Sequence, residues 1–321
     1  MSHLIDVKTL LQNFRDFFKV VLGTVAAWKL LRKYRPSVVF SKGGYVVVPV
    51  GFAARMLNIP IVTHDSDAAA GLANRIVGRW AKLHATGMPP RYYPYAKESV
   101  RFVGTPVDER LKPVDEALQR SLRKQIDLPL KGQILMVAGG GLGSQKLNEL
   151  MVQISPKLIE KFPELHIIHF SGSGHQDTVA EHYHRELGAQ MPEKVKVIGF
   201  SSEFYAYTGA ADVVLARAGA TTLAELAIQR KAAVIIPSPV LTGGHQLRNA
   251  EQLTTLGAAK VLPNDVSPQK LFKVLDDLLQ NKQMRSELAH KIGSLAHPDA
   301  ADKLANILLQ INTRNAVTQQ E

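Results

Sequence analysis

Residues 212–250 restrict what this chain can fold into more than any other stretch. They read DVVLARAGATTLAELAIQRKAAVIIPSPVLTGGHQLRNA. An apolar run at 213–216 stops at Arg217-Ala218-Gly219-Ala220, and Thr221-Thr222 lead into a helical pattern carried by Leu223, Leu226 and Ala227. A second apolar run at 232–236 is closed by Pro237, and Gly243-Gly244 then precede His245, Gln246 and Asn249. The order is strand, tight turn, helix, strand, and a polar cluster that opens another helix. Backbone N–H groups at such helix starts attract anions, and phosphate is the usual one. Glu225 lies one turn inside the first helix, where a carboxylate can accept hydrogen bonds from sugar hydroxyls. The segment therefore predicts a sugar-nucleotide site.

The rest of the chain repeats the same βα theme. Strands are expected at 37–40, 59–64 and 100–103, and in a second series at 133–138, 165–170, 195–198, 212–215 and 232–236. Helical patterns at 50–57, 71–81 and 113–124 separate the early strands, and the last of these opens on Pro113, where a missing N–H costs little. Strands spaced by helices imply parallel sheets. Gly139-Gly140-Gly141-Leu142-Gly143-Ser144 ends a strand and begins a helix (Leu147, Leu150, Met151, Ile154). Such a turn lets backbone approach a phosphate. It has neither the spaced glycines of a dinucleotide fold nor a Walker lysine, so alone it reads equally well as a tight turn. With the 212–250 segment in the same series, two helix starts can converge on one ligand.

Composition narrows the partners. With 321 residues the chain is long enough for two domains, on a prior of roughly 150 residues each. There is no cysteine, so thiol and disulfide chemistry is excluded. No run nears the ~18 apolar residues of a spanning helix, and the start lacks a signal-peptide order. Thirty-nine Lys and Arg against 28 Asp and Glu favour anionic partners. No zinc spacing or nucleic-acid reading motif appears, so phosphate and acidic lipid rank above nucleic acid. Phe14, Phe18, Val21 and Val25 share a helical face near Lys19, Lys29, Arg32, Lys33 and Arg35, as a membrane-dipping patch would; packing on the sheet is the competing expectation. His166, His169, His175, His182 and His184 resemble metal ligands by number, but their irregular spacing favours surface histidines. Trp28 and Trp80 are expected in the core or an interface, and residues beyond about 312 are expected to fray.

Taken in order, Ser41-Lys42-Gly43-Gly44-Tyr45, residues 51–60, His64, Gly71-Leu72-Ala73-Asn74, Gly104-Thr105-Pro106-Val107, the 139–144 turn, residues 217–225 and residues 245–250 resemble MurG-type glycosyltransferases. The resemblance covers about 29–310. It implies an α/β GT-B fold: two Rossmann-like domains with parallel sheets, here 1–106 and 107–296, with a helix at about 297–312 returning to the first. It implies an inverting enzyme that needs no metal and no cofactor. The enzyme would move GlcNAc from UDP-GlcNAc to undecaprenyl-linked MurNAc-pentapeptide, as a peripheral protein on the cytoplasmic face of the bacterial plasma membrane. Carried over by position, the donor site comprises Gly140, Gly141, Gly143, Ala218, Gly219, Ala220, Thr221, Thr222, Glu225, His245, Gln246 and Asn249. Tyr45 and Asp67 fall on the acceptor side, and Phe14, Phe18 and Val21 on the membrane patch.

There are departures. Gly141 replaces a frequent Ser, and His245-Gln246 replaces Gln-Gln. His64-Asp65-Ser66-Asp67 stands for His-Glu-Gln-Asn, and Thr105-Pro106-Val107-Asp108 for Asn-Pro-Val-Arg. Asp65-Ser66-Asp67 also spells the metal-binding D-x-D of another glycosyltransferase fold, but it occupies a slot that needs no metal. The family's opening Gly-Gly-Thr-Gly-Gly-His loop, which supplies a candidate base, has no counterpart in these 321 residues. The expectation is an incomplete N-terminal sheet, completed by further chain or by a second one. His64 is the nearest substitute base, although a histidine at a strand end is more often structural. The alternatives are a non-catalytic or split-subunit donor-binding protein and a related transferase with another lipid acceptor.

Overall fold

A computed structural model describes residues 7–239 and 244–318, with side chains at 15–16, 18–239 and 244–311. The chain divides into two compact units, one of Met1–Val103 with Asp299–Glu321 and the other of Gly104–Pro298.

Unit 1 runs α1 (Val7–Tyr34), β1 (Val39–Ser41), α2 (Val47–Met56), β2 (Ile61–Asp65), α3 (Leu72–Val77), β3 (Ala81–Thr86) and β4 (Val100–Phe102). Its strands pair in parallel in the order β1-β2-β3-β4. β2 is buried at every residue, as befits a strand covered on both faces. Val39, Ala54 and Ile61 form a core with Leu31 and Trp80 packed against it, and Phe52 lies 5.0 Å from the Trp80 ring. Gly51 has no Cβ to strike Val77, so α2 and α3 close together. The last helix, Ala300–Thr318, returns to this unit and buries Leu304 with Ala85 and Val103.

Two expectations change here. The helix expected across 71–81 ends at Val77, passes through a 3-10 turn, and gives way at Ala81 to β3, a strand the periodicity did not predict. The apolar face of α1 does not pack on the sheet: Phe18, Val21 and Val25 are exposed, and α1 turns Ala27 inward instead. Phe14 belongs to the same helix, but its side chain lies outside the described residues. Among the described residues no helix is long and apolar enough to cross a membrane.

Unit 2 runs α4 (Glu116–Gln125), β5 (Gln133–Ala138), α5 (Gln145–Lys161), β6 (Leu165–Phe170), α6 (Gln176–Leu187), α7 (Met191–Lys194), β7 (Val195–Ile198), α8 (Phe204–Ala210), β8 (Val213–Ala216), α9 (Ala220–Gln229), β9 (Ala233–Ile235), α10 (His245–Leu256), β10 (Lys260–Val261), α11 (Pro268–Gln280) and α12 (Lys282–Gly293). All its strand pairs are parallel, in the order β10-β9-β8-β5-β6-β7. Strand alternation divides β5 between two cores: Leu135 and Val137 enter one, Ile134, Met136 and Ala138 the other. The helix expected from Pro113 starts at Glu116, because the Asp115 carboxylate accepts the Leu118 N–H at 2.8 Å and caps it there.

Candidate functional site

In unit 2 the strand order reverses direction between β5 and β8, which are neighbours. Loops leaving the C-terminal ends of such a pair diverge and open a crevice for ligands. The two loops here are the two turns singled out in the sequence.

After β5 the chain turns at Gly140 and Gly143, with φ of +90° and +79°. The Gly143 N–H closes the turn on the Gly140 carbonyl at 2.9 Å, so this amide is spent within the loop. Gly143 is also closely packed. A Cβ there would strike the Ser171 carbonyl, and one at Gly172 would strike Gly143 itself. At the tip, a Cβ on Gly140 or Gly141 would meet nothing within 4 Å. Ser144 caps α5 through its Oγ.

After β8, Arg217 spans the crevice floor. Its guanidinium donates to Ser144 Oγ at 2.7 Å, to Asn264 Oδ1 at 2.7 Å and to the Ile236 carbonyl at 2.9 Å. Helix α9 then begins at Gly219 with no side-chain cap. The N–H groups of Ala220, Thr221 and Thr222 have no acceptor among the described residues. An anion can use them together with the helix dipole. Glu225 sits one turn further in. Burial raises its carboxyl to about 7, and the nearby Asp108 charge adds to the rise.

The polar start of α10 supports this turn from behind. Asn249 is buried and donates to the Ala218 carbonyl at 2.9 Å. Gln246, also buried, accepts the Ser238 N–H at 2.9 Å, while its amide NH2 can still donate outward. His245 follows Gly244 at the helix start, and Gly243 lies outside the described residues.

The strand ends of unit 1 carry ionisable groups instead. The His64 ring is fully buried, its Nδ1 3.4 Å from both Lys42 Nζ and Ser66 Oγ. Burial pulls the Lys42 ammonium below the usual lysine range, while Asp65 and Asp67 pull it back. Asp65 accepts from Tyr95 Oη at 2.8 Å, Asn74 Nδ2 at 2.9 Å and the Gly71 N–H at 3.0 Å. Asp67 contributes its carbonyl to Tyr93 Oη at 2.8 Å. Tyr45 stands 87% exposed beyond Gly44. Among the described residues no group of three His, Cys, Asp or Glu is placed to hold a metal ion. His169, one of five histidines expected at the surface, is instead fully buried.

Comparison with known proteins agrees with this arrangement. The glycosyltransferase family 28 C-terminal domain matches residues 134–304, and its N-terminal domain matches residues 5–86. The UDP-N-acetylglucosamine--N-acetylmuramyl-(pentapeptide) pyrophosphoryl-undecaprenol N-acetylglucosamine transferase of Natranaerobius thermophilus is 31% identical over 297 residues, 92% of this chain and 79% of that one. Its namesake from Thermoanaerobacter sp. (strain X514) is 32% identical over 307 residues, 95% of this chain and 82% of that one. The crystal structure of Acinetobacter baumannii MurG aligns with a TM-score of 0.71 at 29% identity, covering 91% of this chain and 79% of that one. The chain belongs to the MurG family of glycosyltransferases. A UDP co-structure of S. aureus MnaA, at 16% identity and TM-score 0.67, shares the GT-B fold.

Within the MurG family, the acid at Asp108 gains a geometric account. Arg110 grips it with two side-chain bonds, at 2.9 and 2.6 Å, and lays its guanidinium 4.1 Å above the Tyr205 ring. Those bonds hold the Asp108 carboxyl down to about 2. Lys231 is perturbed for a structural reason: burial lowers it to about 7, and its Nζ caps the end of α8 at the Gly209 and Ala211 carbonyls. Sequence reasoning missed Arg217, Ser144 and Asn264 as a bracing set, because their contacts cross 47 to 73 residues.

Proposed function

We propose that this chain transfers N-acetylglucosamine from UDP-GlcNAc to lipid-linked MurNAc-pentapeptide, converting lipid I to lipid II in peptidoglycan synthesis. The reaction inverts the anomeric carbon and needs no metal. The observation that carries the donor half is the pair of turns at the β5–β8 crevice, one lined by uncapped amides, with Glu225 one turn inside. The names of the curated relatives support the acceptor half.

On this reading, the acceptor hydroxyl attacks the anomeric carbon, UDP departs, and a base takes the hydroxyl proton. Amides of Ala220, Thr221 and Thr222, with the dipole of α9, stabilise the charge that develops on the diphosphate. Glu225 accepts from the ribose hydroxyls, and Gln246 offers its NH2 to the sugar. The exposed apolar face of α1 meets an anionic membrane on the cytoplasmic side, with Lys19, Lys29, Arg32 and Lys33 beside it. Titration calorimetry with UDP-GlcNAc tests the donor site. Glu225→Ala should weaken binding by about tenfold or more, the loss of hydrogen bonds to a charged acceptor. An unchanged affinity would remove Glu225 from the site. Incorporation of labelled GlcNAc into a lipid I analogue tests the transfer.

A further inference from the structure

His169 is the next-to-last residue of β6, where a buried histidine is tolerated only if its ring nitrogens find partners. The ring is fully buried, and burial pushes its pKa down to about 3, so the imidazole is neutral. Its Nε2 lies 3.0 Å from Asn148 Oδ1 on α5, and its Nδ1 lies 2.8 Å from the buried Tyr183 hydroxyl on α6. The proton directions follow from one end of this chain. Asn148 Nδ2 donates to the Ser171 carbonyl at 3.1 Å, which leaves Oδ1 as an acceptor. His169 must therefore carry its proton on Nε2, and Nδ1 accepts from Tyr183 Oη. The relay runs Tyr183, His169, Asn148, Ser171, with each group donating to the next.

Its end point gives it consequence. The Ser171 carbonyl and Gly172 are the wall against which Gly143 is set, in a contact that admits no Cβ from either side. The Ser171 N–H is tied to the Ile198 carbonyl at 3.0 Å, so the wall is fixed from β7 as well. We propose that His169 is a positioning residue for the donor diphosphate: acting through Asn148, it locks Ser171–Gly172 in place and so sets the path of the glycine-rich turn. This rests on the reading of that turn as part of the donor site. An apolar residue would fill the same space but leave the Asn148 carbonyl oxygen and the Tyr183 hydroxyl without partners. Gln, which carries a donor and an acceptor, can stand in for the ring.

The test combines nitrogen NMR of 15N-histidine-labelled protein with UDP titration of His169→Phe, His169→Gln and Tyr183→Phe, each checked for folding by thermal unfolding. The ring should show the neutral Nε2–H tautomer and should not titrate between about pH 5 and pH 8. His169→Phe should weaken UDP binding about tenfold and raise KM for UDP-GlcNAc more than it lowers kcat, while His169→Gln stays within about threefold of wild type. If His169→Phe fails to fold, Tyr183→Phe, which removes only a hydroxyl, should still weaken UDP binding by about threefold. A ring that titrates in that range or carries its proton on Nδ1 overturns the relay. Wild-type UDP affinity in folded His169→Phe, or in folded Tyr183→Phe where the first variant cannot be used, overturns the positioning role. Failure of the wild type itself to bind UDP overturns the donor reading instead.

Discussion

At the C-terminal ends of its strands, unit 2 presents backbone, whereas unit 1 presents ionisable side chains. In unit 2 the open groups are amides at the start of α9, and the surrounding polar side chains serve as struts: Asn249 to Ala218, Gln246 to Ser238, Arg217 to Ser144. In unit 1, Lys42, His64, Asp65, His84, Tyr93 and Tyr95 crowd together, with His84 and Tyr95 stacked at 3.7 Å. Amides keep their partial charge at any pH and move only if the fold moves. They suit a site that must hold a diphosphate through a change of charge. In unit 1, burial pushes the Tyr93 and Tyr95 hydroxyls well above the usual phenol range and the His84 ring below the usual imidazole range, so these three groups stay neutral near pH 7. The contrast is between open backbone amides in one unit and buried, mutually bonded side chains in the other.

The sharpest way to break this contrast is Gly143→Ala. The new methyl meets the Ser171 carbonyl at a backbone angle that favours glycine. A loss of roughly 3–5 kcal/mol in thermal unfolding is expected, with UDP binding abolished. Near-normal stability would mean that the turn is soft rather than rigid. Asp65→Ala probes the other side by stranding three donors, on Tyr95, Asn74 and Gly71. Chemical denaturation should show a loss of about 2–3 kcal/mol, with donor binding in unit 2 untouched.

Beside the amides at the start of α9, Glu225 is a side chain that titrates near neutrality. Its folded value of about 7 lies above the ordinary 4.5, so its proton stabilises the native state at low pH. That contribution, on the order of 3 kcal/mol, is fully present below the ordinary value and is lost as pH rises through 7. Glu225→Gln should remove this slope, as unfolding at a series of pH values would register. UDP-GlcNAc affinity should move the opposite way in the wild type, strengthening above pH 7 as the carboxylate ionises to accept ribose hydroxyls; calorimetry at about pH 6 and pH 8 checks it. The smallest effect on the fold is expected from Phe18→Glu with Val21→Glu, both exposed on α1. Stability should change by less than ~0.5 kcal/mol while sedimentation with anionic vesicles falls. Unchanged sedimentation would separate α1 from the membrane.

The strands of unit 2 were legible because burial on both faces turns them into nearly continuous apolar runs, as in Gln133–Ala138 and Val213–Ala216. β3 was not, because Lys82 and His84 interrupt Ala81–Thr86 and the preceding helical pattern absorbs its start. β10 is two residues long, too short for any period. At the site, the turns could be read from glycine and helix chemistry, which are local. The struts could not: Arg217 reaches Ser144, and Asn249 reaches Ala218, only after the parallel sheet has brought distant segments side by side. The same reason hid the burial of His169, whose partners come from α5 and α6.

The tip of the glycine-rich turn differs from its base. At the base, Gly139 and Gly143 are hemmed in by backbone, and Gly140 carries a left-handed φ. Gly141 alone in the turn combines open surroundings with an ordinary backbone angle. A side chain grafted at 141 would therefore find room without asking the scaffold to yield.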